Sequence, residues 1–283
     1  MLRAGPFSDE RVRGLANRRF VAFYFDLADG GAAGDPDARK FVVKLKKELG
    51  GNGVPPPNVL IVTAEGVLIG EAGNFASTED VHSAMKKALK DHPEFNAESE
   101  AEKAAVKPIE KARIAFELGK RKTAAELLAK PENEDEWLFL AHIQRWREKW
   151  EEMEAALSHV KRDDLVDDAT MERAWRPWRE AKYEALRDAL ADFPAESNRA
   201  TEARYFAALA RYQLGEKKEA LKAWKALAKT PDEDPWVYRA DWAYMTEKQR
   251  GKTSFSSGDA DRSPLGRIGY LGRENPDLKG PGK

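Results

Sequence analysis

The chain has 283 residues, enough for two domains that each bury a core. Its 48 Lys and Arg residues nearly balance its 49 Asp and Glu residues, and the formal net charge of −1 argues against nucleic acid or an anionic membrane as the main partner. Because cysteine is absent, the chain as written has no disulfide framework, no thiolate metal site and no thiol-based catalysis.

Membrane insertion and secretion are not predicted. No apolar run approaches the roughly 18 residues that a membrane helix needs. The first six residues, Met1 to Pro6, lack the apolar segment of a signal peptide. We therefore expect a cytoplasmic protein if Met1 is the true start.

Helix and strand patterns alternate over the first 95 residues, which predicts an α/β fold. In chain order the pattern predicts a short helix capped by Ser8, a strand at Phe20 to Phe25, a helix with Phe41, Val42, Leu45 and Leu49 on one stripe, a strand at Asn58 to Val62, a hairpin turn at Glu65-Gly66 into Val67 to Glu71, and a helix that starts at Ser77 with Val81, Met85 and Leu89 inward. Within this plan we expect the side chains of Phe23, Phe25, Leu60 and Val62 to be buried in one sheet.

Several of these landmarks occur at the spacing of a known superfamily. They are Phe7-Ser8-Asp9-Glu10-Arg11-Val12, Phe20-Val21, Asp26, Pro57, Gly66 and Phe75-Ala76-Ser77. In order and spacing, residues 1 to about 90 resemble the thioredoxin-like superfamily. The resemblance implies a cis peptide bond at Pro57 and a loop around it that contacts an extended peptide, whereas three consecutive prolines also serve simply to rigidify a loop.

The family's Cys-x-x-Cys motif and the strand before it would lie upstream of Met1. Either the start codon has been assigned to an internal methionine, or the domain has lost these elements. The missing strand is normally central, so an incomplete sheet with unpaired backbone groups is predicted. Such a sheet would pair with a partner peptide or with a second copy of the chain.

Residues 98–250 have a helical composition and contain two similar segments. Ala112, Phe116, Leu118, Gly119 and Ala124 parallel Ala208, Tyr212, Leu214, Gly215 and Ala220. A small residue, an aromatic residue, a glycine at the turn and an alanine in the second helix resemble the tetratricopeptide repeat. Between the copies, Glu136 to Arg147 and Glu151 to Val160 suggest one hairpin, and Thr170 to Leu190 a longer helix interrupted at Pro177. An irregular helical bundle is the alternative.

Eight tryptophans lie between Trp137 and Trp242. Trp146 with Trp150 and Trp175 with Trp178 have helical spacing, which predicts that each pair shares one helix face. These four residues either pack between helices or form, with neighbouring arginines, an aromatic surface for a peptide. They and Pro57 are the candidate peptide-binding residues.

No catalytic, cofactor or metal site is predicted. The four histidines lack ligand spacing, and His142 is expected to be a packed or surface residue. Gly251-Lys252-Thr253 lacks the earlier glycine of a phosphate loop. The tail, residues 251–283, is rich in Gly, Ser and Pro and is expected to be disordered or extended in isolation, although a segment of it could dock on the helices.

The sequence therefore predicts a redox-inactive thioredoxin-like domain at residues 1–95, with an incomplete sheet, and an all-α tetratricopeptide-like array at residues 98–250. Its expected function is that of a non-catalytic protein-binding or scaffold protein. The alternative is a fragment of a thiol-disulfide oxidoreductase or thioredoxin-type chaperone whose Cys-x-x-Cys lies upstream of Met1.

Overall fold

Helices dominate the computed structural model, which describes residues 6–21, 40–41, 44–45, 59–73, 77–231, 234–248 and 278. Within these residues, strands β1 (Val59–Val62) and β2 (Leu68–Ala72) form one antiparallel sheet. The longer helices are α1 (Glu10–Arg19), α2 (Thr78–Asp91), α3 (Glu100–Ala104), α4 (Pro108–Glu117), α5 (Arg121–Leu127), α6 (Glu134–Trp146), α7 (Trp150–Leu157), α8 (Val166–Arg179), α9 (Tyr183–Ala189), α10 (Ala200–Gln213), α11 (Lys217–Ala228) and α12 (Pro235–Lys248).

The predicted hairpin between β1 and β2 is confirmed. The amide of Gly66 donates to the Thr63 carbonyl at 2.9 Å, and Gly66 has a φ of +78°, a conformation that favours glycine. The prediction for the strand side chains is partly wrong. Ile61 is buried against α2, whereas Leu60 and Val62 are only half-buried, because alternate residues of a strand face opposite sides of the sheet.

Helix α2 follows its sequence signals closely. Ser77 and Asp80 form the predicted capping box, in which each side chain accepts from the backbone amide of the other residue. The predicted inward residues Val81, Met85 and Leu89 are all buried. The local capping and stripe signals therefore sufficed for this helix.

Helix α1 packs its apolar stripe on the sheet. Val12, Leu15 and Ala16 join the core that contains Ile61 and Val81. The cap is Asp9, whose carboxylate accepts from the Arg11 amide at 2.9 Å, so the prediction of Ser8 as the cap is wrong. The side of α1 away from the sheet faces the helical array.

Several predictions fall outside the described residues. They concern Phe23 and Phe25, the helix residues Val42 and Leu49, Asn58, Pro57, and the tail apart from Leu278. Of the predicted second helix, Lys40–Phe41 and Lys44–Leu45 are helical and Leu45 is buried. In the tail, the carbonyl of Leu278 accepts from Gln213 Nε2 at 3.1 Å, and its side chain packs against the core of the last hairpins.

Residues 108–228 form four helical hairpins, α4–α5, α6–α7, α8–α9 and α10–α11. Each turn contains one residue in the left-handed conformation, with φ between +55° and +88°: Gly119, Glu148, Ala181 and Gly215. The amide after this residue bonds at 2.8–3.0 Å to a carbonyl in the last turn of the preceding helix, which is the Schellman arrangement. The four turns are therefore copies of one geometry.

The buried positions repeat with the turns. Seven residues before each turn residue stands a buried alanine: Ala112, Ala141, Ala174 and Ala208. Nine residues after it stands a buried large side chain: Leu128, Leu157, Leu190 and Trp224. Small residues at the first position let paired helices approach, so residues 108–228 form a fourfold helical array.

The helix predicted from Thr170 to Leu190 is two helices. The chain breaks at residues 180–182 and not at Pro177, which lies within α8. Pro177 still has a role in the turn, because its carbonyl accepts from the Lys182 amide at 2.8 Å. The break is set by the left-handed Ala181.

Replacing Ala181 by Gly should stabilise the protein by about 1 kcal/mol, because a residue with a Cβ is strained at positive φ. Replacing Gly119 by Ala should cost a similar amount, since a Cβ there would have open space and only the backbone would be strained. Urea unfolding measures both variants. A loss of stability in Ala181→Gly would contradict the common turn geometry.

Candidate functional site

Arg145 departs from the pattern of the repeat. Three residues before the turn residue, the other hairpins carry buried aromatic side chains: Phe116, Trp178 and Tyr212. Arg145 occupies the same position and is also buried. Its guanidinium lies over two indole rings, 4.4 Å from the centroid of Trp175 and 5.2 Å from that of Trp146.

Glu172 is the counter-ion of Arg145. Arg145 Nε donates to Glu172 Oε2, and the two side chains are only 5% and 2% exposed. Glu172 lies at the repeat position that Phe139 and Phe206 occupy in neighbouring hairpins. An ion pair thus stands where an aromatic contact would fit, although buried ion pairs seldom stabilise more than apolar replacements do. This indicates a role other than stability alone.

Helix α1 supplies a second carboxylate to this pair. Glu10 Oε1 accepts from His142 Nε2 at 3.0 Å, and Glu10 Oε2 accepts from Trp146 Nε1 at 2.8 Å. The other ring nitrogen, His142 Nδ1, lies 3.1 Å from Glu172 Oε1. His142 therefore bridges two carboxylates and acts as an imidazolium that donates from both nitrogens. We call Glu10, His142, Arg145 and Glu172 the junction cluster.

The pKa values follow from this arrangement. Burial alone would lower the pKa of His142, but the carboxylates of Glu10 and Glu172 outweigh it and raise the pKa to about 9. Burial would raise the pKa of Glu10, but His142 and Arg145 lower it to about 2. The pKa of Glu172 is also lowered, because Arg145 and His142 outweigh its burial. All four groups are thus charged near neutral pH.

The junction cluster continues into the third and fourth hairpins through Arg199. Arg199 Nη1 lies 2.9 Å from Asp168 and 3.6 Å from Glu172, and its Nε donates to Glu202 at 2.8 Å. Glu202 also accepts from Trp175 Nε1 at 3.1 Å. Alternating charges therefore connect α1, α6, α8 and α10.

Three residues of α1 face the array at intervals of four. They are Glu10, Gly14 and Arg18, and Arg18 pairs with Glu117 at the end of α4. A Cβ on Gly14 would lie 3.0 Å from the Cα of Glu117, so the two backbones approach too closely for any side chain. Just before α1, Ser8 accepts from Arg239 of α12 at 2.9 Å.

Of the predicted site residues, Trp146 and Trp175 are brought together around Arg145. Trp178 shares a helix with Trp175, but it is buried in the core against Phe206. Trp150 begins α7 and packs in a separate core, so the prediction that it shares a face with Trp146 is wrong because a turn separates them. Pro57 lies outside the described residues.

Sequence reasoning missed the junction cluster. His142 was expected to be a packed or surface residue, and Glu10, Arg145 and Glu172 were not recognised as one group. The available signal was an arginine at an aromatic repeat position, but it becomes visible only after the two middle hairpins are aligned. Glu10 reaches His142 across 132 residues of sequence, and no local pattern reports that contact.

The chemistry of the junction cluster is that of recognition. Within the described residues, every charged member has an oppositely charged partner, which favours holding a carboxylate over transferring a proton. In the same part of the chain, no group of three or more His, Cys, Asp or Glu residues is arranged to hold a metal ion. None of the helices described combines the length and apolar character that crossing a bilayer requires.

Comparison with family models, with curated proteins and with solved structures finds no match for this chain.

The stability of the protein should depend on the charge of His142. Its folded pKa, about 9, exceeds its ordinary value of 6.5, so its contribution is complete below pH 6.5 and is lost as the pH rises through 9. Glu10 contributes fully above its ordinary value of 4.5, and its contribution is lost as the pH falls through 2. We expect the difference in unfolding free energy between wild type and His142→Gln to shrink by about 3 kcal/mol from pH 6.5 to 9.5. A constant difference would contradict the assignment of the imidazolium.

Removing one charge of the central pair should cost more than removing both. Arg145→Leu and Glu172→Leu should each destabilise the protein by about 3–5 kcal/mol, because each leaves a buried charge without its partner. The double variant should lie within about 1 kcal/mol of wild type. Urea unfolding of the three proteins measures the coupling, and additive losses would contradict it.

Proposed function

We propose that the chain is a non-catalytic protein-binding scaffold, built from a redox-inactive thioredoxin-like domain and a tetratricopeptide-like helical array. The observation that supports this most is the fourfold repeat of one hairpin over residues 108–228, with a common turn and common buried positions. Stacked hairpins of this kind present an extended surface, and such surfaces bind other chains.

The first helices of the hairpins form the proposed binding face. Helix α1 already rests on this face through α4 and α6, and Ser8 reaches α12. The contacts combine hydrogen bonds from an indole and an imidazole with an ion pair, the chemistry with which proteins recognise a specific segment of chain. A helix bound within the chain is therefore an example of what the face accepts.

A photo-crosslinking residue tests this proposal in cells that express the chain. We would place it at Arg113, an exposed residue of α4 on this face, and, as the matched control, at Glu126, an exposed residue of the second helix α5. The proposal expects one protein to be linked from Arg113 and not from Glu126, and to bind the purified chain. Equal linkage from both positions, or no purified partner that binds, would count against it.

The same purified chain tests the enzyme alternative. Without a thiolate it should reduce no insulin disulfide in the presence of dithiothreitol beyond the rate of dithiothreitol alone. Turnover above that blank would refute the non-catalytic assignment.

A further inference from the structure

Helix α1 has two faces of different chemistry. Its apolar face, with Val12, Leu15 and Ala16, belongs to the core of the sheet. Its other face meets the array through Glu10, Gly14 and Arg18, a carboxylate, a bare backbone and a guanidinium. The contact with the array is therefore mainly polar, whereas the contact with the sheet is apolar.

We propose that the face around the junction cluster is a binding site for a partner helix that carries a carboxylate, a glycine four residues later and an arginine four residues after that. Helix α1 is its resident occupant, and a partner helix with the same pattern replaces it. This inference rests on the proposed function and specifies the ligand of that face.

The carboxylate is required by the charges that Glu10 satisfies. If Glu10 leaves, His142 Nε2 and Trp146 Nε1 lose their acceptor, and Arg145 keeps only Glu172 as its near counter-ion. Buried donors without an acceptor are costly, and a charged donor more so. The vacated site therefore favours an anion with two oxygen acceptors, which a carboxylate provides.

The glycine is required by the distance between backbones. The Cβ position of Gly14 lies 3.0 Å from the Cα and 3.1 Å from the Cβ of Glu117. Because the nearest atom is backbone, rotating a side chain does not relieve the contact. A helix with any larger residue at this point would be held away from α4, and its carboxylate would be held away from His142.

The polar character of the contact makes exchange possible. Arg18 and Glu117 are 26% and 33% exposed, so their ion pair is weak and sensitive to salt. Helix α1 keeps its apolar packing on the sheet when these contacts open. The array can thus release α1 without unfolding the core that α1 shares with the sheet.

The absence of cysteine permits a reversible lock in the full chain. Gly14→Cys with Glu117→Cys places two thiols whose Cβ atoms start at about 3.1 Å, close to the roughly 3.5–4.5 Å that a disulfide spans. Oxidation fixes α1 on the array and reduction frees it. The probe is a fluorescent peptide of residues 6–20, whose anisotropy reports binding.

We expect the reduced chain to bind this peptide saturably and the oxidised chain at least tenfold more weakly. A peptide with Glu10→Gln should also bind at least tenfold more weakly, whereas a peptide with Arg13→Ala, an exposed position, should bind like the original. In the chain itself, Gly14→Ala should raise peptide affinity several-fold, because it pushes the resident helix off the site.

Equal binding by the oxidised and reduced chains, or equal binding of the Glu10→Gln peptide, would overturn the inference. Dimerisation of the reduced chain in sedimentation would also overturn it, because α1 of a second copy would then be the occupant. If the peptide fails while the crosslinked partner at Arg113 persists, the pattern is wrong and the proposed function stands.

Discussion

The buried charge of Arg145 is the constraint on which the rest of this arrangement depends. A guanidinium inside a helical array needs a carboxylate, and Glu172 of the next hairpin supplies it. Glu172 in turn holds His142 in its charged form, and charged His142 requires Glu10 from α1. One misplaced charge thus determines which helices must lie together, and it connects the first helix of the chain to the middle of the array.

The geometry of the repeat explains why Arg145 is inside. All four hairpins share one turn, so the residue three positions before it always points into the array, whatever its chemistry. Phe116, Trp178 and Tyr212 fill that place with aromatic rings. At the same place Arg145 lies between the indoles of Trp146 and Trp175, which preserve the flat packing surface that an aromatic residue would have met.

Local signals in the sequence predict the elements whose cause is local. The Ser77 capping box, the turn at Gly66 and the two hairpins marked by Gly119 and Gly215 were all readable because particular residues are needed there. The middle hairpins were not, because Glu148 and Ala181 adopt the same left-handed conformation without being glycine. Their strain is offset by packing against neighbouring hairpins, which a single sequence does not display.

The site was less predictable for the same physical reason. Spacing of aromatic residues identified Trp146 and Trp175, but the ion pairs connect residues 27, 30 and 132 positions apart. Charge also suits a contact that must open. An apolar face left bare by a departing helix would adhere to other proteins, whereas a face of paired charges is readily solvated. The loss of stability that a buried ion pair entails is therefore consistent with a junction built to exchange one helix for another.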